Sequence, residues 1–186
     1  MHTLPEFERL ALAHMDAAYN LAYWLVRNRD DAEDVVQDAY VRAFRAYDSV
    51  AGDDIKPWLL TIVRNVAYRW LSVRKRAANV ISLDSALSGR DGDDAAALEI
   101  PSDAPSAEDV LVGRSEQTLV RAALAELPAA FREVVVLREL EGLTYQEIAK
   151  VAAVPIGTVM SRLARARDQL RERLTQMMAK ETKDAL

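Results

Sequence analysis

One segment of the chain places an amide and an aromatic ring among cations at helical spacing. Asn65, Tyr68, Arg69 and Ser72 fall at i, i+3, i+4 and i+7, so a helix would present them on one face. The whole set comprises Arg64, Asn65, Tyr68, Arg69, Ser72 and Arg76. Aromatic rings stack on unpaired bases, amides hydrogen-bond to base edges and cations hold phosphates. The pattern indicates a surface for single-stranded nucleic acid, and the alternative interpretation is an ordinary solvated helix face.

A second candidate site lies near the carboxyl end. The sequence predicts a short helix over 145–152, capped by Thr144 with Glu147 three residues later, then a turn over 154–157 and a long helix over 158–178. This order is typical of a helix-turn-helix. The alternative interpretation is a generic helical hairpin with a solvated arginine face.

The apolar stripe of the long helix determines which of its residues face outward. Its inner positions are Val159, Leu163, Ala166 and Leu170. The remaining surface near the start of the helix carries Ser161, Arg162 and Arg165. Arginine pairs with guanine through two hydrogen bonds in the major groove, whereas Arg167 and Arg171, farther along, suit phosphate contacts.

A third surface has the opposite charge pattern. Its residues share the outer face of a helix predicted to begin at Asp30, and acids concentrate in its first half, where the helix dipole favours them. They are Asp34, Gln37, Asp38, Val41, Arg42 and Arg45. Val41 is an apolar residue among these charges, so the face is either a solvated surface or a protein-binding one.

Enzymatic and metal chemistry find little support. The chain has 2 His and no Cys, and its two histidines, His2 and His14, have no ligand partner at metal-binding spacing. No glycine-rich phosphate loop or nucleophile–base pair can be assembled. We therefore expect no catalytic residue, no metal site and no cofactor.

The elements that position these residues are all helical. Gly and Pro number only 6 each, and strand signals are weak. The first block predicts one helix over about 5–28, or two with a break between them, then a helix from Asp30 with Glu33 at capping-box spacing, then a helix with Pro57 in its first turn. The second helix should bury Ala32, Val35, Val36, Ala39, Tyr40, Ala43, Phe44 and Tyr47. The third helix should bury Leu59, Ile62, Val63, Val66, Trp70 and Val73, and Trp58 should also lie in the core.

The second block predicts helices over about 110–127 and 129–140, ahead of the helix-turn-helix. Pro128 ends the first of them and Gly142 ends the second.

Charge and composition divide the chain. Its net charge is −5, but residues 55–83 carry no acid and residues 84–109 carry a single base, Arg90. We predict an all-α protein of two small helical domains, residues 1–78 and 110–180, joined by a flexible acidic linker over 79–109, the second domain ending in the helix-turn-helix. The basic segments can hold phosphates despite the negative total.

The cellular setting follows from what the sequence lacks. The first nine residues contain Glu6 and Glu8 and no apolar run, so no signal peptide is predicted. No uncharged apolar run of about 18 residues is present. With the absence of Cys, this predicts a cytoplasmic protein without membrane insertion.

Three segments, in order, resemble the extracytoplasmic-function (ECF) sigma factors of bacterial RNA polymerase. Residues 31–45 are similar to their polymerase-binding segment, and residues 57–65 to their promoter-melting helix. Residues 127–140, 143–149 and 157–167 are similar to their carboxyl-terminal helix-turn-helix.

The resemblance implies roles and partners. Asp34, Gln37, Asp38, Val41 and Arg42 would dock on the clamp helices of the beta-prime subunit of core RNA polymerase, and the beta flap is a further implied contact on the polymerase. The minus-ten element of promoter DNA would be bound by Arg64, Asn65, Tyr68, Arg69, Ser72 and Arg76. The minus-thirty-five element would be bound by Thr158, Ser161, Arg162, Arg165 and Arg167. An anti-sigma factor is the implied inhibitor.

Two positions depart from the family pattern. Val50 lies where an aromatic residue often opens the loop before the melting helix, and Met160 lies where Lys or Arg is common.

Two other functions stay open. A stand-alone helix-turn-helix regulator would not need the surface for single strands, and a decoy that imitates a sigma factor would not need the recognition arginines.

Overall fold

The computed structural model describes residues 4–47, 55–87 and 116–184, with side-chain surroundings over 7–47, 55–76 and 118–179. Regular structure in these ranges is helical, without a strand, which confirms the all-α fold class. Val50 and residues 88–109 of the predicted acidic linker lie outside the described residues. Among the described residues, no helix is both long enough and apolar enough to cross a bilayer.

The first three helices are α1 (Leu4–Leu12), α2 (Met15–Val26) and α3 (Arg29–Ala46). The helix predicted over 5–28 is thus two helices, with the break at Ala13 and His14. The side of α2 that packs against α3 is rich in small side chains, which lets the two backbones approach closely. Its buried residues are Ala17, Ala18, Leu21, Ala22, Leu25 and Val26.

The cap of α3 differs from the prediction. Asn28, not Asp30, is the N-cap residue, and its Oδ1 accepts a hydrogen bond of 3.0 Å from the backbone N–H of Asp31. The preceding Arg27 adopts a left-handed conformation, φ 60°, and ends α2. Only two residues separate the helices, so Asn28 must cap α3 directly, and the capping box of Asp30 and Glu33 is wrong.

Two aromatic residues of α3 were predicted to be buried, and neither is fully so. Phe44 is 47% exposed and meets Phe7 edge-on at 5.4 Å between ring centroids. Tyr40 is half-buried and donates its phenol hydrogen to the carbonyl oxygen of Ala11 at 2.8 Å, which fastens α1 to α3. Burial, with a smaller contribution from Asp16, raises the pKa of Tyr40 to about 12, so the phenol stays a donor at any neutral pH.

Helix α4 spans Lys56–Leu87, with Pro57 in its first turn as predicted. It buries Leu59, Leu60, Val63, Val66 and Ala67. Val73 is exposed and Trp70 is only half-buried, contrary to prediction, because the helix leaves the core beyond Ala67. Trp58 and Ile62 are also only half-buried, because they lie at the border of the side of α4 that carries the buried residues. The helix also continues through residues 79–87, the start of the predicted linker.

The chain divides into two compact units. Of the described residues, 4–47 and 62–87 belong to the first unit, and 55–61 and 116–184 belong to the second. The first turns of α4 are thus grouped with the second unit, although the sequence placed them in a domain over 1–78. Within the second unit, the Nζ of Lys56 lies 2.7 Å from the carbonyl oxygen of Glu141 and 3.2 Å from its carboxylate.

The second unit begins with α5 (Glu116–Glu126) and α6 (Ala129–Val135). The chain then widens into a π-helical turn over Val136–Leu140, where the N–H of Glu141 donates to the carbonyl oxygen of Val136 at 3.0 Å. The single helix predicted over 129–140 is therefore α-helical only in its first half. Gly142 follows with φ 70°, a left-handed conformation that glycine adopts without strain, and it ends the element as predicted.

Helix α7 (Tyr145–Ala152) has the predicted capping box. The Thr144 hydroxyl accepts from the N–H of Glu147 at 3.3 Å, and the Thr144 N–H donates to the Glu147 carboxylate at 2.6 Å. Ala153 leaves the helix in a left-handed conformation, φ 52°. Helix α8 then spans Ile156–Asp184, so it begins two residues before the predicted start and includes Gly157.

Removal of the Thr144 hydroxyl should loosen α7. In Thr144→Ala, we expect amide hydrogen-exchange protection in α7 to fall about fivefold, since loss of an N-cap costs about 1 kcal/mol. Thr175→Ala is the matched control, because the Thr175 hydroxyl donates only within α8, to Arg171. An equal loss of α7 protection in both variants would contradict the role of the cap.

Candidate nucleic-acid interface

The predicted single-strand surface lies on the middle of α4. Asn65, Arg69, Ser72 and Arg76 are exposed, and Arg64 and Tyr68 are half-buried. We call these six residues the α4 face. Arg69 and Arg76 form no ion pair with a described carboxylate, so their positive charges face solvent without a neutralising partner.

Internal contacts already order part of the α4 face. The guanidinium of Arg64 lies 4.6 Å from the ring centroid of Tyr68, within cation–π range. The Ser72 hydroxyl donates to the carbonyl oxygen of Arg69 at 2.8 Å. The ring of Tyr68 therefore has one side covered by a cation.

Arg74, which adds to the basic charge of this segment, has a structural role. Its guanidinium donates to the Asp31 carboxylate at 2.7 Å and lies 4.9 Å from the Trp70 ring centroid. This contact joins α4 to the first turn of α3. Residues 55–83 contain no acid of their own, and Asp31 of α3 supplies the carboxylate that pairs with Arg74.

The second candidate surface is the start of α8. Val159, Leu163 and Ala166 are buried as predicted, while Leu170 is half-buried. This orientation leaves Ser161 and Arg165 exposed and Thr158 and Arg162 half-buried. We call Thr158, Ser161, Arg162 and Arg165 the α8 face. No described carboxylate pairs with Arg162 or Arg165.

The later arginines of α8 differ, because each has a carboxylate neighbour. The Nη2 of Arg167 lies 2.8 Å from the Glu139 carboxylate, and this hydrogen bond raises the pKa of Arg167. Arg171 lies 3.6 Å from Asp168, and Arg173 lies 3.2 Å from Glu126. Since all of these side chains are largely solvated, the pairs are weak and a phosphate could replace the carboxylate.

The outer face of α3 forms the third surface. Asp34, Gln37, Asp38, Val41 and Arg42 are all exposed. The Nε of Arg42 donates to Asp38 at 2.9 Å, one turn away, and this hydrogen bond raises the pKa of Arg42.

An apolar patch accompanies these charges on α3. Val41 is 46% exposed, and Phe44, one turn later, is 47% exposed. The sequence identified Val41 but placed Phe44 in the core. Phe44 lies at the border between the buried and the exposed side of α3, and the helical period alone does not determine whether a residue at that border is buried or exposed.

Two further exposed apolar side chains, Ile156 and Met160, lie on the first turns of α8. Sequence reasoning noted Met160 only as a departure from a family pattern and did not include Ile156. Within the described residues, no cluster of three His, Cys, Asp or Glu side chains could hold a metal ion.

Family comparisons match both units. Residues 10–77 match the family "Sigma-70 region 2", and residues 117–170 match "Sigma-70, region 4". The ECF RNA polymerase sigma factor SigE of Mycolicibacterium smegmatis is 33% identical over 171 residues, which cover 92% of this chain and 62% of that relative. The chain therefore spans less than two thirds of that protein's length.

Two other similarities extend this result. The ECF RNA polymerase sigma-E factor of Escherichia coli is 34% identical over 141 residues, covering 75% of this chain and 72% of that protein. The sigma factor RpoE from Bartonella quintana, solved in complex with the anti-sigma factor NepR, superposes with a TM-score of 0.68 at 30% identity, covering 92% of this chain and 98% of that one. The chain belongs to the ECF RNA polymerase sigma factors, a family of regulatory DNA-binding proteins.

Proposed function

We propose that this chain is an alternative sigma factor, which binds core RNA polymerase and directs sequence-specific promoter recognition and transcription initiation. The observation that carries the proposal is the presence of two exposed basic faces with different chemistry on two units. The α4 face combines cations with an amide and an aromatic ring, and the α8 face belongs to a helix-turn-helix. We assign residues 1–78 to a region 2 domain, 79–109 to the acidic linker and 110–180 to a region 4 domain.

The α4 face would capture the melted minus-ten element. The amide of Asn65 can hydrogen-bond to a base edge that unpairing has exposed, and Tyr68 offers a ring for stacking. Arg64, Arg69 and Arg76 would hold the backbone phosphates, while Ser72 lies between them. The stack of Arg64 on Tyr68 keeps both groups ordered before DNA arrives.

The α8 face would read the minus-thirty-five element in the duplex. Arg162 and Arg165, without described carboxylate partners, are suited to pair with base edges, and Ser161 and Thr158 offer hydroxyls near the start of the helix. Arg167 would exchange Glu139 for a phosphate. Phosphate contacts of this kind add affinity and register rather than sequence preference.

The α3 outer face would dock on the clamp helices of the beta-prime subunit. Val41 and Phe44 form an apolar centre, and Asp34, Gln37, Asp38 and Arg42 surround it, as in many protein interfaces. The region 4 domain would contact the beta flap. The sigma factor RpoE from Bartonella quintana was solved in complex with the anti-sigma factor NepR, and we propose an anti-sigma factor for this chain as well.

Binding to the polymerase would make two weak DNA contacts act together. Once core holds both domains at fixed spacing, the second contact becomes intramolecular, and avidity rises steeply. Trapping unstacked bases on the α4 face would offset part of the few kcal/mol needed to unstack them. The chain itself would perform no covalent chemistry, and it would act in the cytoplasm with the polymerase.

The test is binding of the purified chain to sigma-free bacterial core RNA polymerase, followed by transcription from a promoter library. Tight binding with a restricted set of transcripts is the expected result. A folded chain, free of co-purified inhibitor, that does not bind core would contradict the proposal and favour the stand-alone regulator or the decoy.

Asn65→Ala should weaken promoter opening. We expect about tenfold less open complex, the loss typical of a specific base contact, with unchanged affinity for core polymerase. Base unstacking can be followed by 2-aminopurine fluorescence in the minus-ten element. Asn20→Ala, which changes another exposed asparagine on α2, is the matched control. Equal loss of core binding and opening in Asn65→Ala would refute the assignment.

Arg165→Ala should reduce discrimination at the upstream element. In competition between the selected and a scrambled minus-thirty-five sequence, we expect the preference to fall about tenfold. Arg173→Ala serves as control, because Arg173 lies two turns farther along α8 and pairs with Glu126. A preference that stays at the wild-type level in Arg165→Ala would show that Arg165 does not read sequence.

A further inference from the structure

The first turns of α8 carry an apolar strip that core packing does not explain. Ile156 is 44% exposed and Met160, one turn later, is 54% exposed. Ala164 follows after another turn and is exposed too. Side chains at i, i+4 and i+8 share one side of a helix, and this side is distinct from the buried stripe of Val159, Leu163 and Ala166. The strip is therefore available to a partner.

The neighbours of the strip indicate what that partner is. Ser161, Arg162 and Arg165 lie on the same turns, and none of the described carboxylates pairs with these two arginines. The cations would bind a polyanion, and the apolar strip beside them would contact an apolar group on the same molecule. In the major groove of duplex DNA, that apolar group is the 5-methyl group of thymine.

We propose that Met160, with Ile156 beside it, reads thymine 5-methyl groups in the upstream promoter element. This inference rests on the proposed function, since it assumes that α8 enters the major groove. The thioether side chain of methionine is unbranched and adaptable, so it can close over a methyl group without a fixed rotamer. Where Lys or Arg would seek a phosphate or guanine, Met160 shifts recognition at this position toward A·T pairs.

The test removes single methyl groups from the DNA. The full chain is assembled with core polymerase, its preferred upstream element is selected from a library, and each thymine of either strand is replaced by deoxyuridine in turn. This exchange keeps every hydrogen-bonding group and deletes only the methyl. At one or two positions we expect affinity to fall about threefold to fivefold, the effect of burying one methyl-sized group.

Protein variants identify the side chain that senses the methyl. In Met160→Ala, the thymine and deoxyuridine promoters should bind almost equally at the sensitive position, and Ile156→Ala should reduce the difference at the same or an adjacent position. Met178→Ala is the matched control, since Met178 is a similarly exposed methionine about five turns farther along α8, and it should keep the wild-type pattern.

Each outcome decides the assignment. Two outcomes would overturn the assignment and leave the proposed function intact. In the first, the base pair at which Met160→Ala changes binding contains no thymine. In the second, the loss of affinity on deoxyuridine replacement is the same in Met160→Ala as in the wild type. A chain that fails to bind core or to select any promoter would instead contradict the proposed function, and with it this assignment.

Discussion

Burial of one apolar stripe on α8 determines what the second unit presents to solvent. Val159, Leu163 and Ala166 are in the core, and each helical residue is rotated by about 100° from the last, so these three positions fix the direction of every other side chain on the helix. A rotation by one residue would bury Met160 and expose Val159. The capping box of α7 and the left-handed Ala153 hold the facing helix in place, so the α8 face is set by packing rather than by its own interactions.

The placement of acids reconciles a net charge of −5 with two cationic faces. Three acids pair with arginines that belong to neither the α4 face nor the α8 face. The pairs are Asp31 with Arg74, Glu139 with Arg167, and Glu126 with Arg173. Exposed pairs of this kind contribute about 0–1 kcal/mol to stability, so their larger effect is on the surface potential. Arg69 and Arg76 on the α4 face, and Arg162 and Arg165 on the α8 face, keep their charges without a described carboxylate partner.

Helical periodicity and cap chemistry allowed much of this fold to be predicted. They located α3, the proline start of α4, and α7 with its Thr144 cap, because these features depend on residues close in sequence. The errors arose where distant residues decide. Val73 is exposed because α4 extends past the helices that could cover it, and Phe44 lies at the border between core and solvent. The π-helical turn over Val136–Leu140 has no signature in composition. The roles of the α4, α8 and α3 faces remain predictions, because the fold of a unit determines which side chains are exposed but does not identify the molecule that binds them.

The candidate contacts differ in how much rearrangement binding would require, and this difference ranks them. Arg64 and Tyr68 are already stacked, so little side-chain entropy remains to be lost when a base arrives. Arg167 must give up Glu139 before it can meet a phosphate, and the exchange of one anion for another yields little net free energy. Arg162 and Arg165 have no such competitor among the described residues, so the free energy of any contact that they make with a base would not be reduced by the loss of an ion pair. In the proposed function, sequence preference in the second unit would therefore depend on the first two turns of α8, and the later arginines would act mainly to hold register.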